Sequence, residues 1–463
     1  MLRSLTRNFA TPSILRQVRH LATVPTTRTT VLKNGLTVAT EEIPNSLTAT
    51  IGVWIDAGSR ADVTDSTSGT AHFLEHLAFK GTNNRTQLDL ELEVENCGSH
   101  LNAYTSRENT VYYAKSLKDD IPRAVDILSD ILTRSKLEKM AIEKERPVII
   151  RESEEVDKMY DEVIFDRLHE VVFKGQPLGR TILGPLDNIR SITQADLKNY
   201  IKTNYKGDRM VLVGTGSVEH EELVALAQKS FGHVPISENP VPLGAPKGSL
   251  PVFYGDEVKI TDESLPNTYM ALCVEGCSWS SPDYFRALVV QAIVGNWDRA
   301  TNNSATPLAK SVTKTLNGEP QCNSYMSFST SYSDTGLWGI YVVIDKEADC
   351  KGVVDSILKE WGRLRRGDIN DEEIETAKSQ LKGSLLMSLD GTTAIAEDIG
   401  RQLVTTGRRL SPDDIFNIVN NITKADVIDW CDRYLNKKPI GMAALGTVKT
   451  IPDHEYISAH MSN

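Results

Sequence analysis

Hydrophobic positions along the chain follow two rhythms. Val31–Glu41 (VLKNGLTVATE), Leu47–Ala57 (LTATIGVWIDA) and Asn267–Glu275 (NTYMALCVE) are dense in β-branched and aromatic residues, as strands are. Leu88–Cys97 and Ile121–Ser135 instead space their apolar residues by three and four, the period of an amphipathic helix. Strands mixed with blocks of helices predict an α+β fold, with helices packed on one face of a mostly antiparallel sheet. Ala287–Gly295 (ALVVQAIVG) is among the longest apolar runs. It is far short of the roughly 20 residues a spanning helix needs, so it reads as buried core and no transmembrane segment is expected.

The rhythm breaks once, near the middle. Val234–Phe253 holds Pro235, Pro240, Pro242, Pro246 and Pro251, with Gly244 and Gly248 among them. Neither a helix nor a central strand tolerates that spacing, so the stretch reads as a semi-rigid linker over residues 234–253. Internal repetition appears across it. Ile192-Thr-Gln-Ala-Asp-Leu197 matches Ile422-Thr-Lys-Ala-Asp-Val427, and each is followed by a helical pattern and a closing apolar strand with a Gly-Thr turn. Asn102-Ala-Tyr-Thr-Ser106 echoes Asn323-Ser-Tyr-Met-Ser327, and Leu178-Gly-Arg180 echoes Ile399-Gly-Arg401. Two homologous half-domains are expected, residues 22–233 and 254–463.

Composition then narrows the class. With 40% hydrophobic and 24% charged residues, the 463-residue chain is globular rather than disordered. Its net charge of −11 is unevenly spread: no Asp or Glu precedes Glu41, while Arg3, Arg7, Arg16, Arg19 and Arg28 do. An acid-free start with arginines beside Leu, Ile and Phe reads as a mitochondrial presequence over residues 1–21, with the cut after residue 20 or 21. Without residues 1–20 the body carries −15, which argues against nucleic acid and for a basic ligand. Six scattered cysteines offer no paired four-thiolate metal site and read as buried free thiols.

The chemistry concentrates in His72-Phe-Leu-Glu75-His76. On a helix, positions i and i+4 share a face, so both imidazoles can address one ion while Glu75 holds a water beside it. A catalytic zinc commonly takes three protein ligands, so the third must come from elsewhere. In the acidic, helix-like stretch Ala141–Asp166, Glu145 and Glu152 stand two turns apart. Glu152 then suits a ligand and Glu145 an outer partner that orients a histidine, although Pro147 lies between them. Spacing alone leaves Glu154, Glu155 and His100 open. Glu162 and Asp166, one turn apart, suit either a guanidinium or a solvated acidic face. Asn102-Ala103-Tyr104 reads equally as an edge or a core strand, and Phe79 alone reads as core.

HFLEHLAFKGT at 72–82, GSHLNAYTSRENTVYYA at 98–114 and VIIRESEEVDKMYDE at 148–162 resemble the insulinase/pitrilysin-type zinc peptidases over nearly the whole chain beyond the presequence. The resemblance implies one Zn²⁺ per chain on His72, His76 and Glu152, Glu75 as general base and Glu145 outside the ligand set. It implies that Asn102, Ala103 and Tyr104 bind substrate backbone. Glu162 and Asp166 would recognise an arginine two residues before the cut, and Phe79 a residue just after it. The implied activity is removal of N-terminal presequences from precursors imported into the mitochondrial matrix, in a heterodimer with a homologous α subunit. Two other readings are a core subunit of ubiquinol–cytochrome c reductase, alone or alongside proteolysis, and a general oligopeptidase. In the second half Arg286, Val289, Val290 and Ser384 stand where the four metal-site residues would be, so a single site is expected.

Overall fold

Two six-stranded sheets organise the protein, seen in a computed structural model that describes residues 26–62, 64–245, 249–301, 306–313 and 322–462. The expected presequence lies outside the described residues. The first sheet comprises β1 (Arg28–Val31), β2 (Thr37–Glu42), β3 (Thr48–Ile55), β4 (His100–Thr105), β5 (Thr110–Leu117) and β6 (Met210–Gly216), in the order β1-β2-β6-β3-β5-β4. Its helices are α1 (Thr70–Leu77), α2 (Gln87–Asn96), α3 (Ile121–Thr133), α4 (Lys139–Val156), α5 (Tyr160–Val172), α6 (Leu186–Ser191), α7 (Gln194–Asn204) and α8 (His220–Phe231).

The second sheet comprises β7 (Glu257–Thr261), β8 (Asn267–Glu275), β9 (Asn296–Asp298), β10 (Ser324–Ser331), β11 (Gly336–Asp345) and β12 (Gly441–Gly446), in the order β7-β12-β8-β11-β10-β9. The same half of the chain carries α9 (Tyr284–Val294), α10 (Pro307–Val312), α11 (Cys350–Arg365), α12 (Asp371–Ser388), α13 (Thr392–Thr406), α14 (Pro412–Asn420), α15 (Lys424–Leu435) and α16 (His454–Ser462). Each sheet has one parallel pair, β2 with β6 and β7 with β12, and is otherwise antiparallel.

The repeat is physical. Thr193 and Thr423 each close a capping box, with Asp196 and Asp426, at the start of α7 and α15. β4 and β10 occupy equivalent places in the two sheets, as their shared Asn-x-Tyr pattern implies. The Leu178/Ile399 echo is overturned: Ile399–Arg401 lie inside α13, whereas Leu178–Arg180 follow α5 in a short turn. Val31–Glu41 is also not one strand. It reverses at Asn34-Gly35, where Gly35 takes φ +86° and Leu32 N–H reaches the Leu36 carbonyl at 2.8 Å. The helical stretch 141–166 likewise divides at 157–159 into α4 and α5. The described residues of 234–253 carry no helix or strand, and all six cysteines are free and buried.

Helices of its own half line one face of each sheet, and a helix of the other half covers the opposite face. α13 lays Ala396, Ile399, Leu403 and Val404 over Ala39, Trp54, Val111, Val211 and Val213. α5 returns the arrangement, setting Ile164, Leu168 and Val172 on Ala271, Cys273, Leu337 and Ala443. Gly400 permits the first contact, because a Cβ there would lie 2.1 Å from Trp54 Cδ2. Gly400→Ala is expected to destabilise the protein by about 1–3 kcal/mol, the usual overpacking range, read as a lower midpoint of urea unfolding.

Candidate metal centre

α1 is placed before any ligand is considered. Gly69, at φ +100°, turns the chain into the helix, and the Asp62 carboxylate accepts its N–H at 2.7 Å. Burial pushes the Asp62 carboxyl up to about 7, against the pull of the Gly69, Ala71 and Thr70 N–H groups and of Arg180. Ala71, Phe73, Leu74 and Leu77 sink into the first core. α4 buries Ile142, Glu145 and Ile149 on one face, and Glu152 continues that face despite Pro147. Arg146 fixes α4 laterally: it donates to the Ile189 and Ile192 carbonyls at 2.6 Å each and lies 5.6 Å from the Phe73 ring centre.

Three donors converge between these helices. His72 Nε2 is 3.6 Å from Glu152 Oε1, His76 Nε2 is 2.9 Å from Glu152 Oε2, and the ligand atoms of the three residues lie within 4.8 Å of one another. Among the described residues, no other group of three His, Cys, Asp or Glu side chains gathers this way. His76 Nδ1 faces Glu145 Oε1 at 3.1 Å, and Lys80 Nζ holds the other Glu145 oxygen at 3.1 Å. The ring proton therefore belongs on Nδ1, which leaves the Nε2 lone pair aimed at a carboxylate. Glu152 Oε2 has no aligned hydrogen-bond donor despite its short distance to His76, and His72 Nδ1 is buried without one.

Two acceptors facing each other require a positive charge between them. A proton meets part of that demand: burial lowers the pKa of His76, but Glu152 and Glu145 outweigh it and leave it raised. His72 and then His76 hold Glu152 well below the usual carboxylate range, so it is ionised at neutral pH. A divalent cation meets the demand at all three donors together. Tetrahedral ligands about 2.0–2.1 Å from a metal lie roughly 3.3–3.4 Å apart, between the two separations above. Two imidazoles, a carboxylate and an outer carboxylate on one ring nitrogen fit such an ion. Glu154 and Glu155 are exposed and Glu155 pairs with Lys158, while His100 is exposed too, so none joins the cluster. In the second half Val289 and Val290 are fully buried core residues of α9.

Residues 37–186 match the insulinase peptidases (peptidase family M16), and residues 191–381 match the inactive domain of the same family. The mitochondrial-processing peptidase subunit beta of Saccharomyces cerevisiae is 61% identical over 98% of this chain and 99% of its own length. The protein of that name from Bos taurus is 44% identical over 95% of this chain and 88% of its own. The chain belongs to the insulinase (M16) peptidase family. It is a metallopeptidase, and the family implies a divalent metal. A chain of complex III2 from Candida albicans, bound to Inz-5, superposes with a TM-score of 0.81 at 24% identity, over 94% of this chain and 99% of that one. A protease from Helicobacter pylori gives 0.80 at 19% identity, over 91% of this chain and 100% of that one. Those two likenesses speak for the fold alone.

Among the described residues of this M16 chain, β4 is an open edge. Ser106 N–H bonds the Asn109 carbonyl, and the alternation of antiparallel pairs turns Asn102 and Tyr104 toward β5 and the Ala103 N–H and C=O outward. Ala103 N–H is met at 2.8 Å by the Asn102 side-chain oxygen. The equivalent strand β10 is not open, because β9 pairs with Ser324, Tyr325 and Met326. Glu162 and Asp166 share α5. Arg107, just beyond β4, already donates to Asp166 at 2.6 Å. Glu162 is exposed as a residue, yet partial desolvation of its carboxyl, followed by the neighbouring Asp161 and Asp166, raises its pKa. Phe79 is half-buried against the first core.

Lys80, Asp62 and Arg107 escaped the sequence reading. Lys80 follows His76 by four residues but lies in the turn just beyond α1, and Asp62 and Arg107 act only through tertiary contact. Glu145→Gln is expected to weaken metal binding about 10–100-fold, the range for an outer partner, measured by competition with a chromogenic chelator.

Proposed function

We propose that the chain is the catalytic subunit of a zinc endopeptidase that removes N-terminal presequences from precursors in the mitochondrial matrix, working as a heterodimer with a homologous α subunit. The observation that carries the reading is end-to-end 61% identity to a subunit named for mitochondrial processing, in a chain with two imidazoles and a carboxylate gathered as one donor set. That intact donor set favours a peptidase over a purely structural core subunit of ubiquinol–cytochrome c reductase. No helix among the described residues is long and apolar enough to cross a membrane.

His72, His76 and Glu152 would hold the zinc, and Glu145 would orient His76. Zinc bound there lowers the pKa of water and polarises the scissile carbonyl. Glu75, half-buried on α1, accepts the proton of the attacking water and returns it to the leaving amine. The outward N–H and C=O of Ala103 pair with an extended substrate backbone after the Asn102 side chain swings off, a sequence-tolerant hold. Glu162, beside the already paired Asp166, receives the substrate guanidinium, and Phe79 contacts the residue after the cut. The acidic body draws in basic, acid-free peptides.

The test is cleavage of a synthetic arginine-bearing presequence peptide by the zinc-loaded chain, with and without the α subunit. Cleavage at one bond, poor for the chain alone and strong for the pair, supports the proposal; no cleavage by the pair rejects it. Glu162→Gln is expected to lower kcat/KM about tenfold for that peptide, the scale of one charge-assisted hydrogen bond. A peptide with the arginine replaced should be cut equally by both enzymes.

A further inference from the structure

Tyr104 stands on the open edge strand, yet its side chain belongs to the opposite side of the sheet from Leu101 and Ala103. Trp54 pairs with Val111 across β3 and β5, and Val111 pairs with Tyr104 across β5 and β4. The three form one row beneath α13 of the other half. Above that row sits Glu397. Its Oε1 accepts the Tyr104 hydroxyl at 2.5 Å, and its Oε2 accepts the Trp54 indole N–H at 3.1 Å. With both oxygens engaged by donors on different strands, the carboxylate cannot rotate without releasing one of them.

The support is rigid at both ends. Trp54 is fully buried against Gly400. The start of α13 is tied to the same sheet: Thr50 Oγ1 lies 2.9 Å from Thr392 Oγ1, and Thr215 Oγ1 donates to the Thr392 carbonyl at 2.7 Å. β4, by contrast, has a strand on one side only, and such an edge is the part of a sheet most prone to fray. The Ala103 peptide groups that face outward are immediate neighbours of Tyr104, so the direction in which they point depends on where Tyr104 is held.

We infer that Glu397 is a positioning residue for substrate: reaching across from the C-terminal half, it clamps Tyr104 to Trp54 and so fixes the open edge beside the metal-binding helix. The inference rests on the edge-strand reading given under the proposed function. It assigns the half without metal donors a direct part in presenting the peptide, through a residue that touches neither metal nor substrate.

The test uses the full zinc-loaded chain with its α subunit. In Glu397→Ala, the amides of Asn102 and Tyr104, which face β5, are expected to exchange with deuterium roughly tenfold faster, with α1 and α4 unchanged. KM for the presequence peptide should rise about tenfold at nearly constant kcat and constant zinc content. Glu397→Gln, which keeps one acceptor, should fall between, and Tyr104→Phe should add nothing to Glu397→Ala. Unchanged exchange in β4 overturns the clamp, and so does additivity of the two substitutions. Faster exchange with an unchanged KM overturns its role in binding. If the wild-type pair cleaves no presequence peptide, the edge-strand reading fails instead, and the exchange data still judge the clamp.

Discussion

Glu75→Gln is expected to lose peptide cleavage by about 10²–10⁴-fold while the protein keeps its full complement of metal. The substitution preserves size and removes only the ability to take a proton. Glu75 is one residue from His76 but is not one of the three gathered donors, so the ion should stay. Behind it the Tyr112 and Tyr205 hydroxyls meet each other at 3.2 Å in the core. Burial, the first cause for each, pushes both phenols well up, so neither replaces the missing base near neutral pH. Metal analysis beside a cleavage assay checks the outcome. Residual activity within tenfold of wild type would remove Glu75 from its assigned role.

Glu152→Gln has the other large effect, and its signature is opposite. The amide matches the carboxylate in shape but brings no charge to the two imidazoles, and its NH₂ group is a donor where a lone pair is needed. Metal affinity should fall by well over the 10–100-fold expected for an outer partner, with cleavage lost in proportion to occupancy. Because Glu152 is part-exposed at the end of α4, the fold should survive. Raising free zinc should recover part of the activity of Glu152→Gln and none of that of Glu75→Gln. Isothermal titration with zinc, followed by cleavage at several zinc concentrations, separates the two.

What the sequence disclosed was chemistry carried by local spacing. His72 and His76 share a face because they are one helical turn apart, and Glu145 and Glu152 do so two turns apart, with Pro147 absorbed inside α4. The repeated Ile-Thr-x-Ala-Asp segments were legible as a repeat, and the structure shows that each is a capping box. Interactions that depend on how halves are juxtaposed were not. Nothing near Glu397 in the chain distinguishes it from a dozen other helical carboxylates, and its partners Trp54 and Tyr104 lie some 290–340 positions away. Asn34-Gly35 carries turn chemistry, but the flanking apolar residues made Val31–Glu41 read as one strand and hid the hairpin. Arg107 reads as an ordinary surface cation until α5 brings Asp166 to it.

The exchange of α5 and α13 also bears on how the chain acquires its shape. With a face of each sheet covered by a helix encoded on the other side of the 234–253 linker, neither lobe emerging from a ribosome or an import channel can finish by itself. The amino-terminal lobe must wait, its Trp54 face exposed and prone to stick, until the last quarter of the polypeptide arrives. Completion of the lobe that carries the His72–His76–Glu152 cluster is therefore timed by the other lobe, and a chain truncated before α13 should be a substrate for chaperones rather than an enzyme.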